Sequence, residues 1–281
     1  MQDLDTLLLI VLLAVIGAVS ATFGSIVGLG GGIIIVPALL WLGPAFMAEP
    51  MDSATAVGTS LTVLIITALA SSLVYMKQRK IDFASGWLLF AASGPAAAVG
   101  AALTRLFPLH LFQIAFGSFM LAMAGLLIAR DRLKPIALQW KINRSYVDAH
   151  GLEHSYSYSI VPVLAIGFGV GLVSGLFGIG GGSLFVPLMV LLFRFPPHLA
   201  TATSMFVIFL SSILGSATHA ALGEVHWMSV AALAPGAWLG GRLGAWIASR
   251  MSGKALLWLL RATLIVLSVR LIWQGWGASL V

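Results

Sequence analysis

Stretches without a charged residue fill most of the chain. They cover residues 6–48, 53–76, 83–104, 106–129, 155–193, 195–223 and 225–241. The remainder, to residue 281, is apolar with scattered basic residues. A helix of about 17–25 apolar residues crosses the ~30 Å hydrocarbon core of a bilayer, and several of these runs have that length. The pattern predicts an all-α polytopic membrane protein.

Two runs are too long for one crossing. Residues 6–48 number 43 and residues 155–193 number 39, so straight helices would reach roughly 65 and 58 Å at ~1.5 Å per residue. Each run must therefore fold back as a hairpin of two helices. The fold-back is marked by GLGGGIIIVP from Gly28 and by GIGGGSLFVP from Gly178, because consecutive glycines disfavour helix. The second arms are only about 16 Å long, which favours tilted, incomplete arms, although full crossings remain open.

The two glycine-rich segments belong to an internal duplication. They match at an offset of 150 residues, and Thr59-Ser60 matches Thr203-Ser204 at an offset of 144. Sequence repeated at a fixed spacing indicates repeated structure. We expect a first membrane repeat at residues 1–130, a basic linker at 131–154 and a second membrane repeat at 155–281.

The distribution of lysine and arginine orients the two repeats. With a fold-back at each glycine-rich segment, each repeat has three further crossings, and an odd number inverts the second repeat relative to the first. Every loop lysine and arginine except Arg105 then lies on the side of the linker, as cytoplasmic loops require. A parallel arrangement would spread these residues over both sides. We therefore predict an inverted repeat, each half with a Gly-broken helical hairpin plus three transmembrane helices, and a cytoplasmic linker at 131–154.

Composition narrows the chemistry. Hydrophobic residues make up 60% of the chain and charged residues only 9%, against roughly 25% charged in soluble domains. The absence of cysteine from the sequence excludes disulfides, thiolate catalysis and Cys-ligated metals. No GxxxxGK[ST] nucleotide-binding loop occurs in the sequence. We predict no cofactor, no metal site and no nucleic-acid partner; the expected partners are the lipid bilayer and a small anionic substrate, and a homodimer is compatible with the sequence.

The glycine-rich breaks predict an anion site. Matched breaks at membrane depth in two halves point to a transporter's binding site. A helix that starts after such a break directs unbonded N–H groups and a positive dipole end at it, and glycine permits close approach of an anion. The alternative is that glycine serves close helix packing alone. The candidate substrate-binding residues are Gly30, Gly31, Gly32, Ile33, Thr59, Ser60, Gly180, Gly181, Gly182, Ser183, Thr203 and Ser204.

Other polar side chains each carry two interpretations. The hydroxyls of the Thr-Ser pairs could bind substrate oxygens or bond to the carbonyl four residues back. His219 could carry a proton that couples transport to pH, or it could be an interfacial histidine bonded to a neighbour. Arg242 could attract anions to the inner entrance or extend to the lipid headgroups. Glu224 and His226 are expected to be solvated in an outside loop.

The chain resembles the TauE/SafE sulfite exporter family of membrane proteins. The resemblance rests on the paired G-x-G-G-G-x-x-x-V-P segments, 28–37 and 178–187, and is extended by residues 200–204 and by the 223–227 turn. It covers about residues 8–275. The resemblance implies a multi-pass protein of the bacterial inner (plasma) membrane that transports sulfite or a small organosulfonate such as sulfoacetate, usually outward.

The leading functional hypothesis is a secondary transporter, not an enzyme, that exports a small sulfur-containing anion by alternating access. A passive anion channel or a membrane assembly factor is the alternative. An intramembrane hydrolase is the least favoured hypothesis. It would need Ser174 as nucleophile and His219 as base, and the sequence has no G-x-S-x-G elbow.

Overall fold

A computed structural model of the protein describes residues 2–46, 51–130, 142–147, 153–180 and 182–278. Over these ranges the chain forms ten helices and one antiparallel β-hairpin. In chain order the elements are α1 (Gln2–Val27), α2 (Gly32–Phe46), α3 (Ser53–Lys77), α4 (Phe83–Thr104), α5 (Leu109–Arg130), β1 (Ile142–Val147), β2 (Glu153–Tyr158), α6 (Ile160–Phe177), α7 (Gly182–Leu192), α8 (Pro197–Ala221), α9 (Trp227–Ala248) and α10 (Gly253–Ala278).

The chain is a multi-pass membrane protein. Six of the described helices are long and apolar enough to cross a membrane, namely α1, α3, α4, α6, α8 and α10. Each long charge-free run contains two helices, as predicted: α1 and α2 in the first, and α6 and α7 in the second. The second helices have 15 and 11 residues, or about 22 and 16 Å, so each is shorter than the ~30 Å core.

The polar linker contains a β-hairpin that the charge pattern does not predict. β1 pairs with β2 so that Arg144 lies opposite Tyr156, and β2 extends to Tyr158, into the run expected to be helical. The alternation of serine and tyrosine explains the strand, because period-two patterns with aromatic residues suit a half-buried strand. Both tyrosines are buried, and their rings pack against Phe193 and Phe195. The helical fold is thus interrupted by one strand pair at the linker.

Reciprocal helix pairs join the two halves. α1 packs mainly against α9, and its counterpart α6 packs mainly against α4. Rows of glycine at four-residue spacing let these backbones approach closely, as in small-xxx-small contacts between membrane helices. The rows are Gly236, Gly240 and Gly244 on α9, and Gly167, Gly171 and Gly175 on α6.

The centre of the molecule is formed by α3 and α8, the most deeply buried long helices. They run antiparallel, since Gly58 lies against His219 whereas Leu61 lies against Gly215. The hydroxyls of Thr62 and Ser216 bond across the pair at 2.7 Å. α1 and α6, the first helices of the two glycine-broken hairpins, both contact this central pair.

Candidate functional site

Both glycine-rich segments interrupt the helix where predicted. α1 gives way to α2 over residues 28–31, and α6 ends at Phe177 before α7 begins at Gly182. The backbone there enters a region of φ that residues with a Cβ rarely adopt. The glycines with positive φ are Gly28 (82°), Gly30 (79°), Gly31 (98°), Gly178 (70°) and Gly180 (69°). The breaks therefore require glycine for conformational reasons as well as for space.

The start of α2 presents N–H groups at the first break. The N–H groups of Ile34 and Ile35 both donate to the carbonyl of Gly31, at 3.0 and 3.1 Å. Among the described residues, the N–H groups of Gly32 and Ile33 donate no backbone hydrogen bond, as expected for a first helical turn. These groups, with the helix dipole, give the break a positive potential.

One serine anchors each break to the opposite half of the molecule. Ser60 on α3 donates to the carbonyl of Gly178 at 2.9 Å, and Ser204 on α8 donates to the carbonyl of Gly28 at 2.7 Å. Both side chains are fully buried. Each half thus supplies the hydroxyl that satisfies a carbonyl freed by the glycine break of the other half.

The neighbouring threonines make the same kind of reciprocal contact. Thr59 accepts a bond from the N–H of His226, and Thr203 accepts one from the N–H of Asp82, both at 3.0 Å. His226 and Asp82 are the N-cap residues of α9 and α4. Bonds to a carbonyl four residues back, one of the two alternatives for these hydroxyls, are not formed by Thr59 or Thr203 among the described residues; their partners lie in the opposite half. Binding to substrate oxygens stays a prediction.

Apolar side chains from the middle of α3 and α8 cover the two breaks. A methyl group built on Gly30 would lie 2.6 Å from Leu64 Cδ2, and one built on Gly180 would lie 2.7 Å from Ile208 Cγ2. A methyl group on Gly32 would overlap the carbonyl oxygen of Gly178. In this conformation the glycines are closely packed, as the alternative to an anion site predicts. An anion can reach the breaks only when Leu64 and Ile208 move.

Unbonded hydroxyls surround the breaks. The side-chain oxygens of Ser25, Ser174 and Thr201 are buried and have no hydrogen-bond partner among the described residues. Ser25 and Ser174 lie about one turn before Gly28 and Gly178, and Thr201 packs directly against Gly28. Leaving a buried hydroxyl unbonded costs about 1–3 kcal/mol. Ser25 is not among the residues predicted from the sequence, although a hydroxyl one turn before each glycine run is a signal that identifies it.

The other residues predicted to bind substrate lie in the two glycine-rich segments. Gly30, Gly31, Gly32, Ile33 and Gly180 are buried within the breaks. Gly181 lies outside the described residues. Gly182 and Ser183 begin α7.

The loop after α8 is more enclosed than predicted. His219 has a fully buried side chain, and its Nδ1 bonds to Glu224 Oε2 at 2.8 Å. The imidazole of His226 accepts from the backbone N–H of Ser229 and caps α9. Solvation of Glu224 and His226 was therefore the wrong expectation, because both side chains are partly buried by local bonds. Arg242 is exposed on α9.

The nucleophile–base pair of the hydrolase hypothesis is not formed. Ser174 Oγ and His219 Nε2 are both buried, and neither has a hydrogen-bond partner among the described residues. A hydroxyl nucleophile needs its base within hydrogen-bond reach. The structure thus gives no support to an intramembrane hydrolase.

One exposed arginine lines a cavity beside the start of α2. Arg270 on α10 lines a cavity of about 260 Å³ together with Ile33, Ile34 and Pro37 of α2 and with Ile16 of α1. Charged residues inside membrane helices commonly mark solute pathways. A cation is thereby placed beside the opening turn of α2.

Removing the anchoring serines should loosen the breaks. Ser60→Ala and Ser204→Ala each strip a carbonyl of its buried donor, so each should lower the free energy of unfolding by about 1 kcal/mol and change transport kinetics. Thermal unfolding followed by tryptophan fluorescence and flux in proteoliposomes check this. The matched control is Ser93→Ala, which removes a buried 2.9 Å bond to Ser211 away from the breaks; equal effects on flux for all three variants would contradict the expectation.

Comparison with known proteins identifies relatives that are named as membrane transporters. The sequence profile of the family described as "Sulfite exporter TauE/SafE" matches residues 13–271. The chain is 45% identical over 267 residues to "Probable membrane transporter protein YunE" of Bacillus subtilis (strain 168), covering 94% of this chain and 98% of that protein. It is 28% identical over 253 residues to "Probable membrane transporter protein YjnA" of the same organism, covering 89% and 95%.

A more distant relative comes from an archaeon. "Probable membrane transporter protein MJ0441" of Methanocaldococcus jannaschii is 28% identical over 218 residues, covering 76% of this chain and 73% of that protein. No solved structure matches the chain. The names of these relatives describe membrane transporters rather than enzymes.

Proposed function

We propose that this chain, a membrane transporter that belongs to the TauE/SafE sulfite exporter family, exports sulfite or a small organosulfonate such as sulfoacetate across the bacterial inner membrane. The anion binds at the facing starts of α2 and α7, after the two glycine breaks. Transport is secondary and proceeds by alternating access between two related halves.

The observation that carries this proposal is the reciprocal anchoring of the two breaks. Each break is buried midway along the central helices and held by a serine of the other half, at 2.9 and 2.7 Å. Backbone N–H groups, the unbonded hydroxyls of Ser174 and Thr201, and the nearby Arg270 are all donors. A group of donors at such a position suits a small oxyanion.

An inverted repeat is part of the same proposal. Support comes from the antiparallel course of equivalent helices: α3 beside α8, and α5 beside α10, where Gly117 lies against Ile272 and Gly275 lies against Ile114. Inverted halves can exchange conformations to open a central site to either side in turn. The basic linker is cytoplasmic in this arrangement.

Closure of the breaks favours a transporter over a permanently open channel. Leu64 and Ile208 occupy equivalent positions in α3 and α8 and pack on both Gly30 and Gly180. In our proposal these two side chains form an apolar gate that separates to admit the anion. Since the chain has no native cysteine, Leu64→Cys and Ile208→Cys variants can be labelled from each side without background.

Reconstituted flux tests the proposed function. Purified protein in proteoliposomes should carry sulfite or sulfoacetate with saturable kinetics and with acceleration by the same anion on the opposite side. Liposomes without protein are the control. Flux that does not saturate and follows only the membrane voltage would indicate the passive channel, and absence of flux for sulfite, sulfoacetate, thiosulfate and sulfate would overturn the proposal.

A further inference from the structure

A buried histidine is paired with a glutamate at the last turn of α8. The side chain of His219 is fully buried, and its Nδ1 lies 2.8 Å from Glu224 Oε2. The Glu224 side chain is 16% exposed, so its carboxylate connects the ring with solvent. The loop between them is fixed, since the N–H of Glu224 donates to the carbonyl of His219 at 2.8 Å. One end of the pair is thus open to water, and the other is enclosed by the protein.

The second ring nitrogen of His219 has no partner. Its Nε2 is buried and forms no hydrogen bond with the described residues. The backbone of Gly175 on α6 lies beside the same ring, about one turn before α6 ends at the second glycine break. The ring therefore stands between a carboxylate that reaches water and the helix that leads into the break.

The first half of the molecule shows what a bond from this position looks like. Tyr75 on α3 corresponds to His219 at the 144-residue offset, and Ser25 corresponds to Gly175 at the 150-residue offset. Tyr75 is also buried, and its hydroxyl donates to the carbonyl of Ser25 on α1 at 2.8 Å. In the first half, a permanent donor therefore joins the central helix to the helix that leads into the break.

Protonation decides whether His219 can form the equivalent bond. A neutral imidazole has one N–H. When that N–H donates from Nδ1 to Glu224, Nε2 is left as an acceptor beside the Gly175 backbone. An imidazolium carries an N–H on both nitrogens, so it can donate to Glu224 and to the carbonyl of Gly175 at once. A proton on this ring would thus join α8 to α6, as the phenol of Tyr75 joins α3 to α1.

The charges around the ring suit a cation. The charged groups that face it are the carboxylates of Glu224, from the loop, and Asp52, from the N-cap of α3. The helical segments packed around it, residues 53–76, 160–177 and 197–221, contain no Asp, Glu, Lys or Arg. A buried charge needs a partner of opposite sign, and an imidazolium at this position has one in direct contact.

We propose that His219 and Glu224 form the proton site that couples anion export to a proton gradient. Water delivers a proton to the Glu224 carboxylate, which passes it to the ring, and Nε2–H then binds the carbonyl of Gly175 and holds the second break closed. Loss of the proton breaks this bond and lets the break open for the anion. Because the protein holds either the proton or the anion, the two cross the membrane in opposite directions. This coupling rests on the proposed function, whose energy source it names.

Access to the breaks tests the proton site without any anion. Leu64→Cys protein is labelled with a maleimide at about pH 5–8, where histidine titrates, once with His219 in place and once with His219→Gln. The ratio of the two labelling rates removes the titration of the thiol itself. We expect this ratio to rise about threefold or more with pH, because only the histidine loses a proton and releases the break. A ratio that does not change with pH would overturn the proposal.

Two further variants separate the pair from other histidines. Glu224→Gln removes the carboxylate at a side chain that reaches solvent, so it carries less risk to folding, and it should flatten the same pH profile. His110→Gln at the start of α5 removes a histidine outside the pair and should leave the profile unchanged. A profile that survives Glu224→Gln, or one that His110→Gln flattens, would contradict the assignment.

Proton movement during efflux separates failure of the coupling from failure of the proposed function. Proteoliposomes are loaded with sulfoacetate, whose acidic groups do not titrate near neutral pH, and with a pH-sensitive dye; potassium and valinomycin balance the charge. Wild-type efflux should acidify the lumen, and the protons taken up per anion released should fall about fivefold in His219→Gln. Saturable efflux without acidification in the wild type would overturn the coupling alone. Absence of efflux would overturn the proposed function, and the coupling that rests on it.

Discussion

Gly32→Ala should abolish transport. The added methyl group would overlap the carbonyl oxygen of Gly178 and lie 2.9 Å from the Cα of Ile179. Both are backbone atoms, so no side-chain rotation relieves the clash, and the two breaks must separate. Overpacking of this kind costs about 3 kcal/mol. We expect a lower melting temperature in detergent and no measurable sulfite or sulfoacetate flux in proteoliposomes.

The control for Gly32→Ala is Gly125→Ala on α5. Nothing lies within 4 Å of a methyl group at Gly125, and alanine favours helix over glycine by about 1 kcal/mol. This variant should keep wild-type flux. Wild-type flux in Gly32→Ala as well would mean that the breaks need not touch for transport, contrary to the proposed site.

The second large effect is expected at the α4–α6 contact, away from the proposed site. Gly171→Ala would place a methyl group over the carbonyl oxygen of Ser93, with Ser93 Cα at 2.5 Å. The helices would have to move apart along the whole glycine row. The free energy of unfolding should fall by about 2–3 kcal/mol, measured as a loss of thermal stability and of monodisperse protein in detergent.

Gly169→Ala, two residues earlier on the same helix, is the matched control. Nothing lies within 4 Å of a methyl group there, so this variant should be neutral or slightly stabilised. Both variants replace glycine by alanine in the same helix, so helix propensity changes equally. Only the contact of the new methyl group with α4 differs. Equal stability of the two variants would show that the glycine row does not set the distance between α4 and α6.

Local pattern was sufficient to predict the broken hairpins. The lengths of the two long charge-free runs required a fold-back, and the glycine runs located it, because positive φ and close backbone approach both require glycine. The starts of α2 and α7 at Gly32 and Gly182 agree with the expected positions. The alternation of serine and tyrosine from Ser155 to Tyr158 is also a strand signal, but the absence of charge over the same residues favours a membrane helix.

Partners far apart in sequence were not predictable. Ser60 bonds to a carbonyl 118 residues away, and Ser204 bonds to one 176 residues away. The duplication indicates that these serines are equivalent, but only the exchange of contacts between the halves shows what they bind. The burial of Glu224 has the same cause, because Gly58 of the other half packs against that loop.

The central claim is that the paired breaks bind the anion, and selenite, a heavier analogue of sulfite, tests it most directly. Crystals grown at a selenite concentration that inhibits transport should give an anomalous selenium peak at the start of α2 or α7, with Leu64 and Ile208 moved away from Gly30 and Gly180. A peak found only away from both breaks, with the breaks still packed against these side chains, would contradict the claim.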